Sequence, residues 1–251
     1  MPVRAIVFDL FDTLVDLVAE NLSMEEHRGR RLPASVRLLH EEVARHADVS
    51  FDAFADALRA GEKRFAQTHY AEGREVPTQE RFTDMAVRLA LDDPSLPEAL
   101  TRIHMGMLRA QVQFQAHHPE VLEALASRVR LGLCSNFSHS ETALEVLDSG
   151  GLRPHLDAVV ISDAFGLRKP RPEIFLEVLS QLDVVPEEVL HVGDSLRADV
   201  AGAAACGVTT VWITRRVRDA EARVEAHAGP LPDHVVADLR QLPALLDQLA
   251  G

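Results

Sequence analysis

The sequence predicts an α/β fold, a doubly wound parallel sheet that carries an all-helical insertion. Three observations predict it. Short apolar runs of strand length recur at wide spacing with helical patterns between them, the alternation a parallel sheet requires. Residues 16–115 break that alternation and read as helix after helix. Residues able to do chemistry stand where successive apolar runs end, and an open α/β sheet places its ligand crevice there.

The first run, Ala5-Ile6-Val7-Phe8, reads as a buried strand. It stops at Asp9, with Asp12 and Thr13 close behind. Further strands are expected at 129–134, 158–162, 189–193, 209–214 and 234–237. Helices are expected between and after them, at 119–126, 141–150, 172–182, 197–206 and 239–250. Pro172 suits the first turn of its helix, and Gly207 suits a stop after the helix before it. In the insertion, apolar residues recur at helical spacing: Val36-Leu39-Val43, Phe51-Phe54-Leu58-Phe65, Phe82-Met85-Leu89 and Leu100-Ile103-Met107. Pro33, Gly61, Gly73, Pro77, Pro94 and Pro97 punctuate these patterns. The expected division is a core of residues 1–15 and 116–251 with an insertion of 16–115. Placed directly after the strand bearing Asp9, the insertion is expected to overhang the crevice.

The 251 residues are 47% hydrophobic and 26% charged, the balance of a water-soluble globular chain. Aromatics are only 5%, so Leu, Ala and Val must fill most of the core. A formal net charge of −13 argues against a nucleic-acid partner. It leaves room for a phosphorylated small molecule, because a local basic group or a bound cation can invert the field. No apolar run is long enough to span a membrane, and Met1-Pro2-Val3-Arg4 lacks a signal-peptide pattern, so a cytoplasmic protein is expected. Cys134 and Cys206 are expected as free buried thiols.

Beyond Asp9, the second strand runs into Ser135-Asn136, where a hydroxyl and backbone N–H groups can hold an anion. Lys169 follows the third strand in Gly166-Leu167-Arg168-Lys169-Pro170-Arg171-Pro172, and the prolines keep it out of a helix. The next strand ends in Gly193-Asp194-Ser195-Leu196-Arg197-Ala198-Asp199. Taken singly, each has an ordinary explanation: Ser135 as a cap, Lys169 as a solvated lysine, Asp199 as a first-turn acid. Taken together, in register with Asp9, they converge on one crevice. Three carboxylates there repel one another unless a cation sits among them, and oxygen ligands favour Mg²⁺. Lys169 would neutralise charge on a nucleophile and on a transferring phosphoryl group.

The order and spacing of these motifs resemble the haloacid dehalogenase-like hydrolases, in the branch with a helical cap inserted after the first motif. The resemblance spans nearly the whole chain and implies a Rossmann-like core under a mobile cap. It implies Asp9 as the nucleophile, Ser135 as the hydroxyl on the phosphoryl oxygen, and Lys169 as the third-motif lysine. It implies Asp194 as a Mg²⁺ ligand with Asp199 in support. Thr13 and Asn136 join Ser135 and Lys169 as candidate substrate-binding residues. Asp9, the Phe11 carbonyl, Asp194 and Asp199 are the candidate metal set.

One position departs from the pattern. Phosphatases of this superfamily carry an acid two residues after the nucleophile, where this chain has Phe11; the next acid is Asp12. Phe11 can offer its carbonyl to a cation but has no proton to give. Dehalogenases of the superfamily carry an aromatic residue there and lack an acid matching Asp194. The expected activity is therefore a Mg²⁺-dependent phosphatase acting on a small phosphorylated metabolite. A 2-haloacid dehalogenase is the alternative, and a weakly active metabolite-binding protein is the third reading. Arg28, Arg30 and Arg31 could meet an anionic leaving group or form a solvated turn. His27, His69, His104, His117 and His118 show no metal-ligand spacing. In an extended chain Asp12 would face away from Asp9, so it is expected to pin a turn.

Overall fold

Strand β1 is Ala5–Phe8, buried along its whole length. The chain is described by a computed structural model over residues 2–18, 24–27 and 30–250. It divides into two compact units, Met1–Asp16 with Gln113–Gly251, and Leu17–Val112. The boundary falls within two short strands that pair with each other, β2 (Asp16–Leu17) and, further on, its partner at 112–113.

The second unit opens on β3 (Met24–His27) and β4 (Arg30–Pro33), which pair antiparallel. This hairpin is a correction to the all-helical expectation. The segment is too short to show a period, and its register sets Glu26 opposite Arg31 along the backbone. The rest of the unit is helical: α1 (Ala34–His46), α2 (Phe51–Thr68), α3 (Thr78–Arg88) and α4 (Leu96–Arg109). Ser50 caps α2 by accepting the Ala53 N–H. The spaced apolar residues meet in one core of Leu39, Val43, Phe54, Phe82, Met85, Leu96 and Leu100, with Val36, Leu58, Leu89, Ile103 and Met107 against it. β5 (Val112–Gln113) returns the chain to the first unit.

There the chain runs through α5 (His118–Ala126), β6 (Arg130–Ser135), α6 (Ser140–Ser149), β7 (Ala158–Ile161), α7 (Ser162–Phe165), α8 (Pro172–Leu182) and β8 (Val189–Gly193). A single π turn, Leu196–Val200, leads into α9 (Ala201–Ala204). Then follow β9 (Thr209–Ile213), α10 (Ala220–Glu225), β10 (His234–Val236) and α11 (Leu242–Ala250). Pro172 is the first residue of α8, and Gly207 takes φ +80 after α9, a left-handed turn that only glycine enters freely. The sheet is six-stranded in the order β10-β9-β8-β1-β6-β7, with every pairing parallel. After β7 the chain crosses β6 and β1 to reach β8. The winding reverses there, which opens a crevice at the carboxyl ends of the strands beside β1. Apolar side chains from β1, β6, β7 and α8 fill one face, with Ile174, Phe175, Val178 and Leu182 at its centre.

Candidate active site

Asp9 follows β1 directly, and its N–H donates to the Val192 carbonyl at 2.9 Å. Phe8 pairs in register with Leu133 on β6 and Val192 on β8. Asp9 is therefore level with Cys134 and Gly193, and Ser135 and Asp194 stand one residue further along. Local strand pairing alone thus brings a hydroxyl and two carboxylates to one rim.

Lys169 enters from the loop after α7, and its side chain is 1% exposed. An ammonium has three N–H donors, and all are used. Nζ donates to Asp9 Oδ1 at 2.6 Å, to the Cys134 carbonyl at 2.6 Å and to Asp199 Oδ1 at 2.7 Å. Burial works against its charge, but Asp199 and Asp9 outweigh it and hold the ammonium protonated well above the ordinary lysine range.

Asp199 sits in the π turn and is 2% exposed. Its Oδ1 accepts from Lys169 and from His191 Nε2 at 3.0 Å, and its Oδ2 accepts the Ser195 N–H at 3.0 Å. Burial pushes its carboxyl upward, but Lys169 and His191 outweigh that and keep it below the ordinary carboxylate range. Asp194 is placed from the backbone: its carbonyl accepts the Trp212 indole N–H at 2.7 Å. Among the described residues no donor meets its carboxylate. Burial, then the charges of Asp9, Asp199 and Asp12, lift it to about 7. Burial lifts Asp9 to about 6 although Lys169 opposes it.

Oxygen atoms of Asp9, Asp194 and Asp199 all lie within 4.8 Å of one another. Two of the three resist ionisation, because burial and the neighbouring carboxylates outweigh the one lysine beside them. An all-oxygen cluster short of positive charge fits a hard divalent cation. Asp9 and Asp194 have the spare lone pairs for it, while Asp199 is already occupied by three donors.

Ser135 and Thr13 are buried, and among the described residues neither hydroxyl has a hydrogen-bond partner. Buried hydroxyls without partners are uncommon and point to a ligand that supplies them. The Asn136 side chain is engaged with Lys169. Its Oδ1 accepts the Lys169 N–H at 2.7 Å and its Nδ2 donates to the Lys169 carbonyl at 2.9 Å, so the amide clamps the lysine's backbone. Phe11 packs its ring on Phe137, centroids 4.8 Å apart. Its neighbours Leu10 and Asp12 form the backbone bonds to Val15, and Phe11's own carbonyl takes no part in that bridge.

Asp12 adopts φ +59 and donates its N–H to the Val15 carbonyl at 2.6 Å, as a turn residue does. Its carboxylate meets Arg216 Nε at 3.4 Å. Arg28 lies outside the described residues, and Arg30 and Arg31 lie on β4 of the second unit. His118 Nδ1 bonds the Leu14 carbonyl at 2.7 Å, the role of a buried structural histidine. Both cysteines are free; Cys134 is buried, as expected, and Cys206 is partly exposed.

Sequence reasoning missed His191, Trp212 and the Asn136 clamp. His191 left one signal, a single polar residue inside the apolar run Val189–Gly193. The other two left none, since an indole and an amide gain these roles only from distant backbone.

A family model described as haloacid dehalogenase-like hydrolase matches residues 3–207. A glyceraldehyde 3-phosphate phosphatase of Methanopyrus kandleri is 27% identical over 252 residues, covering 99% of each chain. A phosphoserine phosphatase of Thermus thermophilus is 28% identical over 249 residues, covering 94% of this chain and 99% of that protein. Among solved structures, a 2-haloacid dehalogenase of Pseudomonas syringae superposes with a TM-score of 0.68 at 23% identity, covering 98% of this chain and 99% of that one, a likeness of fold. With the family match running through β1, Lys169 and the Asp194–Asp199 segment, the chain belongs to the haloacid dehalogenase-like hydrolases.

Proposed function

We propose that this hydrolase is a Mg²⁺-dependent phosphatase of small phosphorylated metabolites, working through an aspartyl-phosphate on Asp9. The observation that carries the reading is the cluster of Asp9, Asp194 and Asp199 around a single buried lysine. The full-length relatives named as phosphatases support it.

In this reading a carboxylate oxygen of Asp9 attacks phosphorus, and the P–O bond to the leaving group breaks, its electron pair departing with that oxygen. Lys169 balances charge on Asp9 and on the phosphoryl oxygens as the group transfers. Ser135 and Thr13 hold phosphoryl oxygens with hydroxyls that otherwise lack partners. Water then attacks phosphorus, releasing phosphate and returning Asp9. A Mg²⁺ ion held by Asp9, Asp194 and the Phe11 carbonyl, with Asp199 behind them, would neutralise the charge that gathers in this step. Asn136 keeps the Lys169 backbone in place throughout.

A specific observation favours a second reading. Phe11, two residues after Asp9, pairs its ring with Phe137, an apolar side chain where a phosphatase would carry an acid, which suits attack on carbon as in a 2-haloacid dehalogenase. Asp194 counts against it, since a further half-buried carboxylate near the nucleophile is costly without a cation.

The test is a screen of phosphoesters, acyl phosphates and 2-haloacids, with Mg²⁺ and with excess chelator. Phosphate release that needs Mg²⁺ and vanishes in Asp9→Asn is the expected result. Dehalogenation undiminished by chelator would replace this reading with the second.

A further inference from the structure

The run Val189-Leu190-His191-Val192-Gly193 is an apolar strand interrupted once, by an imidazole. His191 is 1% exposed, and its ring meets Phe175 edge-on with centroids 5.1 Å apart. A polar ring inside a sheet costs free energy unless its N–H finds an acceptor. Nε2 lies 3.0 Å from Asp199 Oδ1, while Nδ1 is buried with no partner among the described residues. A proton on Nδ1 would be an unpaired buried donor. The neutral ring with its proton on Nε2 leaves only a lone pair unpaired, which costs less. His191 is therefore a donor, and its acceptor is the oxygen that Lys169 also uses.

Sharing that oxygen has a mechanical consequence. The terminal torsion of an aspartate is broad and soft. Ser195 N–H holds Oδ2, and the two donors on Oδ1 hold the other side, so the carboxylate cannot turn. Lys169 Nζ then stays between Asp199 and Asp9. With His191 removed, Oδ1 keeps a single donor, the lysine itself. The carboxylate is then held on that side by the lysine alone, and the placing of Nζ against Asp9, 2.6 Å away, is no longer fixed from behind.

We propose that His191 is a positioning residue: its Nε2–H fixes Asp199, and through Asp199 it holds Lys169 at a set distance from the Asp9 carboxylate. This deepens the phosphatase reading and rests on it for the kinetic arm of the test alone.

The first arm uses no turnover. In a long-range proton–nitrogen spectrum of the full chain, His191 is assigned by the signals lost in His191→Gln. A neutral ring protonated on Nε2 is expected, and a ring protonated on Nδ1 overturns the proposal even if no phosphoester is ever hydrolysed. The second arm compares His191→Leu with His191→Gln on p-nitrophenyl phosphate. The leucine variant should lose about 10–100-fold in kcat with KM little changed. The glutamine variant carries an N–H near the position of Nε2 and should recover most of that kcat at a similar melting temperature. Equal kcat in the two variants, or wild-type kcat in His191→Leu, overturns the proposal while leaving the role of Asp9 standing. Should the leucine variant fail to fold, the spectrum decides alone.

Discussion

Gly193 and Asp199 are packed so closely that a side chain on the first would collide with the second. A Cβ built on Gly193 would lie 2.6 Å from Asp199 Oδ2 and closer still to its Cγ. The glycine that ends β8 is required by this approach, because the π turn folds Asp199 back against it on the way to Lys169. Gly193→Ala should displace the carboxylate, cost about 1–3 kcal/mol of stability as other overpacked sites do, and depress kcat. Urea unfolding and steady-state kinetics check it. A variant with full activity and unchanged stability would mean that the turn can open without consequence.

Among the described residues Lys169 is the cation that pairs with two buried carboxylates, Asp9 and Asp199, beside the half-buried Asp194. Lys169→Met, close in length and uncharged, leaves Asp9 and Asp199 without their shared partner. Breaking a buried pair from one side costs about 3–5 kcal/mol. Turnover should be lost, and Mg²⁺ should recover part of the lost stability, since it replaces positive charge among the same carboxylates. Thermal unfolding with and without Mg²⁺ measures both effects. A variant as stable as the parent in chelator would contradict the electrostatic account.

Asp194 gives a pH dependence with a definite sign. Its folded pKa, about 7, lies above the ordinary 3.8. Between those values the folded state holds the proton more firmly than the unfolded state does. Its contribution to stability is therefore present below the unfolded value and is lost as pH rises through the folded one. Asp9, lifted to about 6, acts in the same direction. In chelator, the melting temperature should fall between pH 5 and pH 7.5 more steeply in the parent than in Asp194→Asn. Mg²⁺ should flatten the parent's slope. Identical slopes in parent and variant would remove Asp194 from the account.

Phe11 predicts which substrates turn over fastest. Without an acid at that position, leaving groups that are stable anions, such as aryl and acyl phosphates, should be preferred to alkyl phosphates. A positioned acid is worth about 10²–10⁴-fold, so Phe11→Asp should narrow that preference mainly by raising alkyl phosphate turnover. Part of the gain is offset by losing the ring contact with Phe137, worth about 0.5–1.5 kcal/mol. Rates across leaving groups of graded pKa, in both proteins, measure it. Parent rates that ignore leaving-group pKa while chemistry is limiting would point to another proton donor, with Asp12 the first to test.

The sequence by itself determined the alternation of strands and helices, the helical character of most of residues 17–112, and the standing of Asp9, Ser135 and Asp194 at strand ends. Those features are local. Period, turn residues and the end of an apolar run are readable within a dozen positions, and parallel pairing then brings the strand ends level. The hairpin of β3 and β4 escaped because four-residue strands carry no period. What only the tertiary structure decided is who holds whom. Lys169 reaches Asp9 across 160 residues and Asp199 across 30, and Asn136 closes on the Lys169 backbone across 33. Asn136 reads in the sequence as a strand-end residue whose backbone can hold an anion, and only the fold shows its side chain clamping the Lys169 backbone. His191 reads as part of a strand and in the fold is a donor to the carboxylate beside the nucleophile. A buried polar group takes whichever partner the packing leaves within about 3 Å, and that choice is made by the whole core.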